Sequence, residues 1–267
     1  MSENKLILPS LPDNLESLFK QEEEIRVKSL LYINSESDLK EHMGILQDSL
    51  NMIHDLIIPY DSATDDELTI QFLGIRMFNS ITCALKLLLS GYYQNSFALQ
   101  RDILETGFLL DFFSSNPAKI SEWKSCNNKD RYTKFKPKLI RDALDMRDGF
   151  ITKKREEIYR MMCEHASHPS YTGIKLVSPS GRARIGAFID QVFLKAALEE
   201  LAIRVPHFSL VFLKHFKNLP QEFLRPQYEF LEKVKIWSVK YYKVDLSKVD
   251  TESLKEWITQ IELHSRT

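Results

Sequence analysis

Between Tyr159 and Ser170 the chain gathers a tyrosine, an arginine, a cysteine, a glutamate and two histidines, and Pro169 closes the run. An arginine can stabilise negative charge, and a histidine can give or take a proton near neutral pH. His165 and His168, three apart, can share one face of a closing helical turn. The pattern supplies no third ligand, so no metal site is expected. His168 also suits a helix C-terminus, where a cationic ring meets the dipole. Arg160 and Glu164 stand at i,i+4, the spacing of an ordinary surface ion pair. A catalytic and a purely structural reading of Arg160 both remain open at this point.

Arg160 and His165 fit R-x4-H, a spacing that resembles the R-x4-6-H signature of HEPN domains, small helical bundles that include metal-independent ribonucleases. The resemblance implies that Arg160 stabilises charge on a scissile phosphate while His165 moves the proton of the 2′-hydroxyl or of the leaving group. RNA carries its own nucleophile, so neither metal nor cofactor is implied. Residues five apart lie about 140° from each other on a straight α-helix. A shared site therefore needs a helix end or a second copy of the chain, and a homodimer is expected.

A second, longer resemblance starts at Gly91. Gly91-Tyr92-Tyr93-Gln94-Asn95-Ser96-Phe97-Ala98-Leu99-Gln100-Arg101-Asp102-Ile103-Leu104-Glu105 is similar to a G-Y-x4-[AS]-x-L-x-R-x3-E signature in a group of prokaryotic helical proteins. In that group a later helix carries Tyr-x-x-[LM]-[SC] followed by histidines, matched here by Tyr159, Met162, Cys163, His165 and His168. The resemblance spans about 91–170 and implies a HEPN-like bundle. Arg101 and Glu105 sit at i,i+4 on an otherwise apolar helix, where an ion pair is costly unless satisfied. The pair either fixes helix register or forms a polar pocket facing the Tyr159–His168 helix, with Glu105 orienting a histidine. Arg101, Glu105, Tyr159 and His168 are thus the expected supports of the Arg160–His165 site.

Lys129, Arg131, Lys134, Lys136, Lys138 and Arg141 alternate with Tyr132 and Phe135, a pattern suited to tracking an RNA backbone. Lys175, Arg182 and Arg184 could extend it from a later loop. The competing reading is a solvated helix face. Charge is divided along the chain, although the net is only −1. Residues 1–70 carry fifteen acidic and five basic side chains, and residues 124–184 carry seven acidic and fifteen basic ones. Internal pairing or an anionic partner would each account for this division.

The elements that must position these residues read as helices throughout. Apolar residues recur at three- and four-residue steps from Leu39 to Ile57. Helices are expected at about 12–33, 39–57, 65–90, 94–113, 117–125 and 151–167. Others are expected at 187–217, kinked at Pro206, and from Pro220 to about 243, interrupted at Pro226. A last one, capped by Asp250, completes the set. The helices on either side of Gly91 are apolar on most faces and should form a central antiparallel hairpin. Residues 169–185 read as a loop.

With 267 residues, 43% hydrophobic, 27% charged and only eight glycines, one large all-α domain is expected. It would be an antiparallel HEPN-like bundle over 65–217, with an N-terminal helical pair in 1–60 and C-terminal helices in 220–267. Cys83, Cys126 and Cys163 form neither a disulfide framework nor a zinc pattern. The apolar run near Ile81–Leu89 reads as too short to span a bilayer. With a polar N-terminus, the expectation is a cytoplasmic protein with no membrane partner. No Walker A, G-x-G-x-x-G, G-x-S-x-G or H-E-x-x-H occurs, which removes support for nucleotide phosphotransfer, dinucleotide redox chemistry and serine hydrolysis. Two functions remain: a HEPN-like metal-independent endoribonuclease acting as a toxin or defence effector, or a non-catalytic helical interaction or scaffold protein with a protein partner.

Overall fold

The computed structural model describes residues 11–178, 181–182, 184–217 and 219–243. The described residues contain helices and no strand: α1 Asp13–Ser35, α2 Ser37–Asp55, α3 Asp65–Leu89, α4 Tyr93–Ser115, α5 Ala118–Ser125, α6 Asn128–Lys134, α7 Pro137–Arg147 and α8 Lys154–Met162. A π-helical turn, Cys163–Ser167, extends α8. The short α9, Tyr171–Ile174, a 3-10 turn, Lys175–Val177, α10, Gln191–Leu213, and α11, Gln221–Tyr242, complete the order. The helix expected after Asp250 lies outside the described residues.

The α3–α4 hairpin forms for local reasons. Thr64 caps α3 by accepting the Glu67 N–H at 3.1 Å, and Asp65, Asp66 and Glu67 place negative charge at the positive end of the dipole. Gly91, at φ +82°, ends the helix. Its N–H bonds Leu88 O at 3.2 Å and the Tyr92 N–H bonds Leu87 O at 2.8 Å, the paired bonds of a Schellman turn. The chain then enters α4 at once. Ser96 Oγ donates back to Ala84 O at 3.0 Å and ties the two helices together.

α10 crosses this hairpin, and α2 packs on α10. Glycines let the rings of α10 approach: a Cβ on Gly107 would overlap the Phe208 ring, and one on Gly74 would lie 2.5 Å from Phe212. Leu198, Leu201, Val205 and Phe212 of α10 are fully or almost fully buried in the resulting core. By length and composition α3 is apolar enough to cross a membrane, with a window of mean hydropathy 1.4. That whole helix is longer than the run from Ile81 to Leu89 suggested. Here Ile70, Met77, Ile81, Ala84 and Leu88 of α3 are buried in the core.

The interruption expected at Pro226 does not occur. α11 is continuous through Pro226, because one missing N–H in its second turn is outweighed by burying Leu224, Phe230, Val234 and Trp237. α10 likewise runs on through the buried Pro206. The expected helix 151–167 starts only at Lys154, and the 169–185 loop contains α9 and the 3-10 turn.

α11 is held to α2 by Lys240–Glu41 at 2.7 Å, by Lys233–Asp48 at 2.8 Å and by a buried bond from Trp237 Nε1–H to His42 Nδ1 at 3.2 Å. Burial pushes the His42 imidazole below its ordinary pKa, and Lys195 adds to this. The carboxylates of Glu199, Asp38 and Glu41 oppose it without reversing it. The Trp237 bond also requires a neutral Nδ1 acceptor. As pH falls through about 6.5 the unfolded chain therefore takes up the proton first, and the fold loses stability. The unfolding midpoint in urea is expected to be lower at pH 5.5 than at pH 7.5. His42→Gln should shrink that difference without abolishing it, since burial also depresses His215. An undiminished difference in the variant would remove His42 as the cause.

Candidate functional site at the junction of α4, α7 and α8

The Gly91–Glu105 stretch is the hub of the molecule, and most of its polar side chains hold a different neighbour. Tyr92 Oη donates to Glu22 of α1 at 2.6 Å. Tyr93, fully buried, accepts the Asp190 N–H at 3.0 Å, and Asp190 in turn caps α10. Burial pushes the Tyr93 hydroxyl up to about 12. Gln94 Nε2 reaches the carbonyls of His165 and Gly173 at 3.5 and 3.3 Å and braces the histidine turn. Gln100 Nε2 donates to Ala197 O of α10 at 3.1 Å.

Arg101 and Glu105 take α8. Arg101 Nη2 donates to Glu105 Oε1 at 2.7 Å and to Tyr159 Oη at 2.6 Å, and Tyr159 Oη–H donates to the same Glu105 oxygen at 2.8 Å. The three side chains close a triangle between α4 and α8. Arg101 and Glu105 are half-buried, 30% and 28% exposed. Burial raises the Tyr159 pKa; Glu105 adds to this and Arg101 opposes it. Burial works against the Arg101 charge, but the bond to Tyr159 and the Glu105 carboxylate outweigh it, so its pKa is raised. Glu105 thus orients Tyr159, where the sequence suggested a histidine.

Arg141 completes the junction from α7. Its Cζ stands 3.8 Å from the Tyr159 ring centroid, and Arg101 Cζ stands 5.0 Å from it. The Arg141 side chain is 6% exposed. Grouping Arg141 with the surface cations was therefore a misplacement. Ile140, Arg141, Leu144 and Asp145 are all buried, so the arginine lies on the inner stripe of α7. That period was present in the sequence and was masked by the neighbouring lysines. Below the triangle, Arg155 joins Asp145 at 2.7 Å and also Asp148, while Arg147 holds Asp111 at 2.9 Å. This network fixes the start of α8 on α7 and α4. Sequence reasoning missed it because its members lie on three separate helices.

The remaining expected residues are more dispersed. Arg160 is exposed and makes no side-chain ion pair or hydrogen bond among the described residues. The i,i+4 pair with Glu164 does not form, although Glu164 has a partner of its own. His165 is partly buried; its Nδ1–H donates to Met161 O at 2.8 Å, which leaves Nε2 as the acceptor of the neutral ring. His168 is exposed and lines an open groove of about 580 Å³ with Gln94, Tyr171 and Ile174. No cluster of His, Cys, Asp and Glu with metal-binding geometry occurs among the described residues.

Of the basic residues, Lys134 pairs with Glu122 at 3.1 Å, Lys138 with Asp142 at 2.9 Å, and Lys136 lies 5.6 Å from the Tyr132 ring. Arg182 and Arg184 are exposed and form no ion pair among the described residues. The two oppositely charged regions meet at Lys124, which pairs with Asp65 and Asp66. No family model matches the chain, and neither a curated protein nor a solved structure matches it significantly.

Proposed function

We propose that this chain is a helical interaction module and that the α4–α7–α8 junction positions the histidine turn for a protein partner, without catalysing a reaction. The observation that carries this reading is the triangle of Arg101, Glu105 and Tyr159. Arg101 Nη2, Glu105 Oε1 and Tyr159 Oη bond to one another and tie α8 to α4, as in a structural clamp. Arg160 and His165 line neither the groove at His168 nor the cleft bounded by Arg141.

One observation favours a HEPN-like ribonuclease as the second reading. His165 Nε2 makes no hydrogen bond among the described residues and sits on a π-helical turn, a feature frequent at functional sites, near an Arg160 with no side-chain partner among the described residues. A homodimer would then supply Arg160 from one copy and His165 from the other. Incubating the purified chain with mixed single-stranded RNA in EDTA separates the two. The module reading expects no cleavage above that of an Arg160→Ala, His165→Ala double variant. EDTA-resistant cleavage that disappears in each single variant would overturn it.

A further inference from the structure

A cleft of about 260 Å³ opens between α4 and the α5–α7 arm, lined by apolar Leu109, Trp123, Phe135 and Ile140 and by the charged Arg76, Asp102, Glu105 and Arg141. Its charges are unequally satisfied. Asp102 accepts from Arg76 and from Ser80 Oγ, and Glu105 accepts from Arg101 and Tyr159. Arg141 has no hydrogen-bond or ion-pair partner among the described residues, and its Nε and Nη1 are sealed from solvent. Asp145, one turn along α7, is held by Arg155 through one oxygen and makes no ion pair with Arg141. A guanidinium stacked on a phenol and buried to this degree, with no acceptor, is costly unless something supplies one.

We propose that this cleft binds a small monocarboxylate with an aromatic or branched hydrocarbon body. The carboxylate meets Arg141 at Nη2, the nitrogen that is not sealed, and the body lies against Trp123, Phe135 and Leu109. Charge argues for one negative group, because Arg141 is the one lining cation without a counter-ion among the described residues. Shape argues for a compact apolar body: apart from these charges the wall is chiefly apolar, and the volume holds roughly nine water-sized groups at about 30 Å³ each. The proposal is independent of whether the junction is catalytic.

Calorimetric titration and thermal melting of the full chain test it, with phenylacetate and 4-methylpentanoate as probes. Phenylacetamide, acetate and inorganic phosphate are the comparisons. Both carboxylate probes should bind and raise the melting temperature with concentration. Phenylacetamide and acetate should each bind at least about tenfold more weakly, since one lacks the charge and the other the body. Arg141→Gln should lose binding of both probes. Leu109→Trp keeps the guanidinium and fills the cleft, so it should lose binding even if Arg141→Gln fails to fold. The proposal is overturned if neither probe binds the intact chain or if phosphate binds as well as phenylacetate. It is equally overturned if phenylacetamide equals phenylacetate or if Leu109→Trp binds unchanged.

Discussion

Gly91→Ala is expected to be the most damaging single-methyl change in this protein. At φ +82° any L-residue pays the left-handed penalty of about 1–2 kcal/mol. The new Cβ would also overlap the carbonyl oxygen of Phe188 and lie 2.8 Å from its nitrogen. That neighbour is backbone, so no rotamer change relieves it. Moving it displaces the buried Phe188 ring, which stands edge-on to Tyr93 at 5.4 Å. Adding roughly 1–2 kcal/mol of overpacking gives a loss near 3 kcal/mol. For a chain of this size that is a fall of about 6–12 °C in melting temperature. Two controls isolate the cause. Gly149, at φ +68° with nothing within 4 Å of a new Cβ, should show the conformational penalty alone. Gly44, inside α2 with open space around it, should gain about 0.5–1 kcal/mol on becoming alanine. A Gly91→Ala melting temperature equal to that of Gly149→Ala would mean that the approach of Phe188 contributes nothing.

The second large effect is expected at Glu105. Its Oε1 receives both Arg101 and Tyr159, so Glu105→Ala leaves two half-buried donors without their shared acceptor. Unsatisfied donors of this kind cost about 1–3 kcal/mol, and partial exposure places this case near 2 kcal/mol. Tyr159→Phe removes one donor and keeps the ring against Arg141, so about 1 kcal/mol is expected. Because the two residues touch, the double variant should fall short of the sum by roughly 1 kcal/mol. Urea unfolding of the four proteins measures this coupling. Additive losses would mean that Glu105 and Tyr159 hold α8 independently of each other. The same variants bear on function, since loosening α8 also frees the turn that carries His165 and His168.

How much of the site could be read from the sequence differs residue by residue. Arg101, Glu105 and Tyr159 were recognisable as one group, because two charges on an apolar helix need a partner and Tyr159 lies on the helix expected to face them. Arg141 was not, since its neighbours Lys136 and Lys138 dominate the local pattern and only packing reveals which way α7 turns. The spacing of Arg160 and His165 was equally visible, but spacing does not decide which side chain meets a cleft. His165 lies on the π-helical turn that follows Met162, and Gln94 and Gly173, distant in sequence, close on its carbonyl.

Short-range sequence made the local decisions. It set the Gly91 turn, the apolar period of α2 and the apolar faces of α3 and α4, and hence an all-helical chain with a central hairpin. These depend on residues within a few positions of one another, where propensity, capping and periodicity act directly. Tertiary structure decided what long-range packing alone can decide. It carried α11 through Pro226, turned Arg141 inward onto Tyr159, gathered Asp111, Asp145, Asp148, Arg147 and Arg155 into one network, and left a cleft beside the Arg141 guanidinium. Each of these joins residues of different helices or depends on what packs against a helix from outside it. The balance of burial, charge and hydrogen bonding there is set only once the helices have come together.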